Sequence, residues 1–450
     1  MEIYHALLID EKKCIGCSHC MKVCPTEALR IVNGSAVMRN DSCIDCGRCY
    51  SECPTKAIYI KEDDFERIHD YEHPVALIPA VFLAQFPDEV RVSRIYAALK
   101  DLGFAHVIEV ESAAATYTQA KERYTAAHAN TRPMISAFCP AIVRLIQVKY
   151  PSLVDNIMSL RAPCDICAIY IRKELTERGI PDKQIGLFYV TPCAAKIAAV
   201  KSPVADEDIL VDGTINMDSL FNRVYHKIKE QGKDYVFPQL VAPRLSADSI
   251  LSTLNNGERR LNMAKRSYAV DGLESVMEIL DKVENDELEG VDFLELRSCT
   301  LSCAGAALSI DNRFLSSERM YTRARKTATR ERNGEMARDH EMDKYSEYLL
   351  NNVELEPVKA RNAMALDPDI GKALEKMERR NKLASMLPQI DCGLCGAPTC
   401  ETLATDVVRG LACMEHCIFV QRHKEEKGTL SHDAAQKRMR EVWGDNRVTE

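Results

Sequence analysis

The sequence predicts an α/β layered domain bracketed by small cysteine-rich modules, and three observations carry that reading. From His73 short apolar runs alternate with amphipathic stretches of helical period, a cysteine pattern near the N-terminus occurs twice, and five more cysteines crowd into residues 387–420. At roughly 150 residues per domain, 450 residues make about three domains. Lys and Arg total 59 against 67 Asp and Glu, a formal charge of -8, so no basic excess selects a nucleic-acid backbone. The 19 cysteines fall short of a disulfide-dense scaffold, yet they cluster tightly, which points to metal. The apolar run Ala6–Ile9 is cut off by Asp10, Glu11, Lys12 and Lys13, so it is no secretory segment. Val75–Phe86 is too short to span a bilayer and contains Pro79 and Gln85. The expectation is a cytoplasmic protein in a reducing compartment, with neither a membrane nor a nucleic acid as partner.

The first module, residues 1–62, is defined by its repeat. Cys14, Cys17, Cys20 and Cys24 recur 29 positions on as Cys43, Cys46, Cys49 and Cys53, and both copies continue Cys-Pro-Thr and then reach an Ala and a β-prone end, Leu29–Val32 and Ile58–Ile60. Residues 73–316 form the central domain. Strands are expected at Val75–Ile78, His106–Val110, Met134–Phe138, Leu187–Val190 and Val291–Leu296, and helices at Val90–Leu102, Ala141–Lys149, Cys167–Arg178 and Leu273–Glu284. Residues 317–386, rich in charge, read as a solvated helical connector. A compact module at 387–420 precedes a polar tail, 421–450, expected to be mobile.

The N-terminal pattern is C-x2-C-x2-C-x3-C-P twice. At this spacing three loop cysteines wrap one cubane while the fourth is supplied across the repeat. Cys14, Cys17, Cys20 and Cys53 would hold one 4Fe-4S cluster, and Cys43, Cys46, Cys49 and Cys24 the other. Two structural zinc sites are the alternative, since four thiolates also suit tetrahedral zinc. The trailing proline in both copies favours iron, and residues 1 to about 62 resemble a bacterial two-cluster ferredoxin.

In the central domain Cys139, Cys193 and Cys299 each follow the C-terminal end of an expected strand, the edge at which open α/β sheets bind ligands, and Cys303 lies four residues past Cys299. Four thiols from distant segments could converge there, or each could be a small core residue. The order and context of these residues resemble the iron-only (FeFe) hydrogenases over about His73–Phe314. The family's T-S-C-C-P stands here as Ala137-Phe138-Cys139-Pro140, and its M-P-C-x-x-K-x-x-E as Thr191-Pro192-Cys193-Ala194-Ala195-Lys196 with Ala199 at the end. Its E-x-M-x-C-x-G-G-C stands as Glu295 through Cys303. The resemblance implies a 4Fe-4S cubane on Cys139, Cys193, Cys299 and Cys303, bridged through Cys303 to a di-iron unit carrying CO and CN, with Lys196 bonding a cyanide. It also implies H2 and protons as substrates and a redox partner protein, ferredoxin-like or a signalling component.

Several positions depart from the family. Phe138 replaces the thiol that relays protons, Thr191 and Arg297 replace two methionines, Ala199 replaces an acid, and Leu301-Ser302 stands where the family has Gly-Gly. A phenyl ring relays no proton, and a cation at 297 raises the potential of a nearby cluster. The sequence is thus similar to a branch with relaxed signatures associated with hydrogen sensing. Cys164 and Cys167 form an isolated C-x2-C: half a metal site, a redox dithiol, or structural thiols at a helix start. Cys164 is also the candidate substitute relay, provided the start of the following helix lowers its pKa.

The C-terminal module carries Cys392, Cys395 and Cys400 as C-x2-C-x4-C, then Cys413 and Cys417. It resembles the small iron-sulfur domain of electron-transport and corrinoid proteins, which implies Cys392, Cys395, Cys400 and Cys417 as ligands and Cys413 as spare. A zinc ribbon is the alternative. Neither G-x-x-x-x-G-K-[ST] nor G-x-G-x-x-G occurs, so nucleotide chemistry has no motif here. The expectation is a hydrogenase-like redox protein of slow turnover, possessing four cubanes and a di-iron unit. Its alternative is a non-catalytic electron carrier or assembly protein without that unit.

Overall fold

The cysteine repeat at the N-terminus builds two short ribbons. β1 (Leu7–Ile9) pairs antiparallel with β4 (Ile58–Ile60), and β2 (Leu29–Val32) with β3 (Ser35–Met38). The second hairpin turns at Asn33-Gly34, both at positive φ, the pair that a tight two-residue turn favours. The structure, a computed structural model, describes residues 3–203, 209–231, 245–261, 266–334 and 342–445. They form two units, Met1–Lys61 with Arg361–Glu450, and Glu62–Ala360.

The larger unit is a pair of parallel sheets covered by helices. β5 (His73–Ile78), β6 (His106–Glu109), β8 (Ile185–Thr191) and β9 (Gly213–Asn216) form one sheet in the order β6-β5-β8-β9; β7 (Met134–Ile135), β10 (Ser267–Asp271) and β11 (Phe293–Arg297) form the other in the order β10-β11-β7. All seven residues of β8 are buried, as parallel strands covered on both faces require. The helix Leu273–Glu284 buries Leu273, Val276, Leu280 and Val283 along one stripe, and the helix Pro140–Lys149 buries every residue from Ala141 to Val148. The five expected strands are all present, and they divide between the two sheets. β9 and β10 were not expected.

Three segments differ from expectation. The helix Pro163–Glu177 starts four residues before the expected Cys167, because Pro163 suits a first helical position and Asp165 Oδ2 accepts the Ala162 N–H at 3.2 Å. The connector opens inside the helix Arg313–Arg332, which is no solvated spacer: it buries Met320 and Ala324 and sends Arg323 onto the buried Glu109, Nη1 and Nη2 each 2.6 Å from one of its oxygens. The tail contains the helices Ile418–Glu426 and His432–Trp443, and the second buries Ala435 and Val442. Residues 335–341 of the connector and 446–450 of the tail lie outside the described residues. No helix among the described residues is long and apolar enough to cross a membrane.

Candidate metal centres

In the N-terminal module the repeat of sequence is a repeat of geometry. The Cys24 sulfur accepts the Ala28 N–H at 3.2 Å and the Cys53 sulfur the Ala57 N–H at 3.2 Å, each with the following threonine hydroxyl at 3.8 Å. The shared Cys-Pro-Thr-x-Ala thus fixes a turn whose fourth residue, Glu27 or Lys56, has positive φ and whose amide reaches back to sulfur. Cys14, Cys17, Cys20 and Cys53 line one small cavity together with Ile31 and Ala36. Burial, and then the neighbouring Cys14, Cys17 and Cys53, push the Cys20 thiol up to about 12. Cys24 and Cys46 face each other in the second group; burial and then Cys24 push Cys46 up to about 12, and Cys49 is raised by burial and then by Cys46 and Cys24. Clustered thiols, part or fully buried, that repel one another as anions favour a cation among them, and loading one releases protons. Cys53 is the exception: against its burial, the Ile58, Thr55 and Ala57 amides and the Thr55 hydroxyl hold it below its usual value. His5, which sequence spacing did not single out, lies near Cys43 and Asp45; both ring nitrogens are engaged, with Asp45 at 2.7 Å and the Asn40 carbonyl at 2.8 Å, so it braces the Cys43 loop.

In the larger unit Cys193 follows β8 of one sheet, while Cys139 and Cys299 follow β7 and β11 of the other. Cys139 and Cys193 each stand at the cap of a helix, Pro140–Lys149 and Ala194–Lys201, so helix N-termini open toward the site and favour an anionic group. Ser298 Oγ lies 3.7 Å from Cys139 Sγ and 3.5 Å from Cys299 Sγ. Burial raises Cys193 to about 12, with Lys196 pulling down and Cys303 and Cys139 pushing up. Burial and then Cys193 and Cys139 raise Cys299. The four thiols therefore sense one another.

Cys303 also lines a cavity together with Glu111, Phe138, Cys164, Tyr189 and Lys196. Glu111 is a residue that sequence reasoning missed. Its Oε2 accepts the Ala80 N–H at 2.7 Å, while Oε1 is buried with no hydrogen-bond partner. Burial, and then the neighbouring Glu109, raise its carboxyl to about 8. The signal available was the pair Glu109 and Glu111 at the end of a short strand, β6.

Cys164 is also at this cavity, but the expectation of a lowered pKa is corrected. The thiol sits inside the first turn of its helix, 4% exposed, and burial, then Asp165 and Cys167, drive it well above its usual value, which outweighs the pull of Lys196. Cys167 packs beside it in the core, its sulfur 3.4 Å from Ser112 Oγ and the Val110 carbonyl. The guanidinium of Arg297 lies 3.7 Å from the centre of the Phe138 ring and the Lys196 ammonium 4.5 Å from it. Arg297 is also compensated, bonding Glu258 Oε2 at 3.2 Å and Glu295 Oε1 at 3.4 Å, so its cation is not a free positive charge beside the thiols.

In the C-terminal module Cys392, Cys395, Cys400 and Cys417 line one cavity, and Cys413 does not. Asp391 Oδ1 accepts the Cys400 N–H at 2.6 Å, and Thr399 caps the helix Cys400–Val408. Burial and then Cys417 and Cys392 raise Cys395 to about 11.

Comparison with known proteins agrees with this division. Residues 72–235 match the iron only hydrogenase large subunit, C-terminal domain, residues 6–54 a 4Fe-4S dicluster domain, and residues 387–419 a putative Fe-S cluster domain. The chain is 30% identical over 212 residues to the periplasmic iron hydrogenase large subunit of Nitratidesulfovibrio vulgaris, covering 43% of this chain and 50% of that one. It is 26% identical over 324 residues to iron hydrogenase 1 of Clostridium pasteurianum, covering 65% and 54%. The chain thus spans about half the length of these two relatives. Ferredoxin-2 of Desulfomicrobium norvegicum is 46% identical over 33 residues, 7% of this chain and 56% of the ferredoxin. A solved variant of the FeFe-hydrogenase of Chlamydomonas reinhardtii superposes with a TM-score of 0.47 at 16% identity, covering 67% of this chain and 96% of that one. With three matched domains and its gathered thiols, the chain is an iron-sulfur protein whose central domain is similar to the FeFe-hydrogenases.

Proposed function

We propose that the central domain carries out slow, reversible interconversion of H2 with protons and electrons, in the manner of a hydrogen sensor, and that the flanking clusters relay the electrons. The cavity beside Cys303 carries this reading. It is lined by Cys303 but not by Cys139, Cys193 or Cys299, and it presents an ammonium and an unpartnered buried carboxyl oxygen. This donor set fits a small anionic metal group hung on Cys303. Cys139, Cys193, Cys299 and Cys303 hold the cubane, and Lys196 donates to the attached group. When bound, that group supplies a Lewis-acidic metal at which H2 is split to two protons and two electrons.

The chain's own residues decide the speed. Phe138, covered by Arg297 and Lys196, closes the route used by a thiol at that position. Glu111 Oε1 instead holds the proton, with a carboxyl raised to about 8 and so able to exchange it near neutral pH. The electrons leave singly through thiolate-held cubanes on Cys14, Cys17, Cys20 and Cys53, on Cys24, Cys43, Cys46 and Cys49, and on Cys392, Cys395, Cys400 and Cys417. Their acceptor is a one-electron redox protein. Anaerobically matured protein under H2, without other reductant, should bleach its cluster absorbance slowly. No bleaching in fully loaded protein supports the second reading, an electron carrier or assembly protein, which the placing of Lys196 on the Phe138 ring favours.

A further inference from the structure

The two terminal modules are far apart in the chain, but residues Met1–Lys61 and Arg361–Glu450 make one unit. The contact between them is built rather than incidental. Arg30 Nε reaches Asp406 Oδ2 at 2.5 Å and Arg39 Nη2 reaches Asp406 Oδ1 at 2.7 Å, with all three side chains at most 18% exposed. The Thr402 hydroxyl donates to Glu27. Along the hairpin, the Asn33 and Gly34 amides donate to the Glu441 and Val442 carbonyls at 2.8 and 2.9 Å. Trp443 then donates its indole N–H to the Leu394 carbonyl at 2.9 Å, tying the last helix to the loop between Cys392 and Cys395.

Two links run from one thiol group to the other. The Ile31 amide donates to the Gly396 carbonyl at 2.9 Å; Gly396 follows Cys395, and Ile31 lines the cavity of Cys14, Cys17, Cys20 and Cys53. Gly396 has φ +79°, and a Cβ there would stand 2.3 Å from the Ile31 carbonyl oxygen, so only glycine lets the two backbones meet this closely. Met21, the neighbour of Cys20 and 1% exposed, packs its Cε where a Cβ on Gly393 would lie 3.1 Å away. Each link thus ends one residue from a predicted ligand on both sides or on the cavity wall itself.

We propose that the C-terminal cluster and the cluster on Cys14, Cys17, Cys20 and Cys53 form a directly coupled redox pair. The C-terminal cubane extends the N-terminal relay to the surface at Cys392, the one exposed cysteine among the described residues. In the step, one electron passes between the cubanes: the donor is oxidised by one electron, the acceptor reduced by one, and no proton or bond moves. An external one-electron carrier supplies or removes that electron. This inference rests on the reading that both thiol groups hold 4Fe-4S clusters, and the test separates the two.

The full chain is loaded anaerobically with iron and sulfide, reduced with dithionite and examined by electron paramagnetic resonance, with iron and zinc counted in parallel. Cys46→Ser removes the second N-terminal cluster, so its coupling no longer contributes. The spectrum should keep the broad wings of interacting spins, and Cys46→Ser combined with Cys400→Ser should lose them. Wings absent from Cys46→Ser at full iron, or persisting in the double variant, overturn the pairing. Gly396→Ala keeps every thiol and decides the matter if Cys46→Ser sheds more than its own cluster: the wings assigned to the C-terminal cluster should shrink, and unchanged wings overturn the route. Zinc, or no iron, at the C-terminal thiols overturns the cluster reading instead.

Discussion

Glu111 and Cys164 face the same cavity, and burial has opposite consequences for them as proton carriers. A thiol raised well above its ordinary value stays protonated across the neutral range, whereas a carboxyl raised to about 8 is poised to give and take a proton there. Glu111→Gln should lower H2/D2O exchange by at least about tenfold, below the usual loss for a positioned acid-base group. Cys164→Ala should leave it unchanged, and a large loss there would return the relay to the thiol. The same carboxyl makes stability depend on pH. Its folded value lies above the ordinary 4.5, so its contribution is complete below about 4.5 and is lost as pH rises through about 8. Melting temperatures of the glutamine variant, measured across that window, should vary less with pH than those of the parent. Cys139, Cys193, Cys299 and Cys303, scattered along the chain, were named as ligands through a resemblance, whereas the N-terminal repeat and the Cys392, Cys395 and Cys400 run were legible because thiolate spacing is a local signal. Glu111 was not, since its importance comes from burial and from the chain folding it beside Cys303.

At the scale of elements, Leu301 and Ser302 stand where the resemblance puts Gly-Gly. Both residues have positive φ, 63° and 53°, a region that costs an L-residue with a side chain about 1 kcal/mol or more. Asp271 Oδ2 holds the turn by accepting the Leu301 N–H at 2.9 Å. Leu301→Gly should therefore stabilise the protein by about 0.5–1 kcal/mol in chemical denaturation, after the greater freedom of unfolded glycine is offset. A second element-scale test concerns the helix Cys400–Val408. Asp406→Ala leaves Arg30 and Arg39 without their shared carboxylate in a buried place, and should cost about 3 kcal/mol. Urea unfolding of the full chain measures it. β5 and β8 were readable because their apolar runs mark covered parallel strands, and β11 because Phe293, Leu294 and Leu296 dominate its short span. β9 is four residues beginning at Gly213 and β10 is a partly exposed edge, so neither had a run to read. The tail looked mobile because its composition is polar, yet Ala435, Val442 and Trp443 suffice to seat its last helix on the Asn33-Gly34 hairpin.

For the whole molecule, the three matched domains and the thiol groups give an iron-sulfur protein, and the central claim is that Cys303 also bears a di-iron group. Four cubanes amount to about 16 iron atoms per chain and the added group makes about 18. Two atoms in eighteen is a small difference for metal analysis, but CO and CN bound to iron absorb in an infrared region that protein leaves clear. The most direct measurement is therefore the infrared spectrum of anaerobically matured, fully cubane-loaded protein. Bands of metal-bound CO and CN, retained in Glu111→Gln and lost in Cys303→Ala, are the predicted result. A spectrum without them would contradict the account and leave the central domain as a carrier of a single cubane.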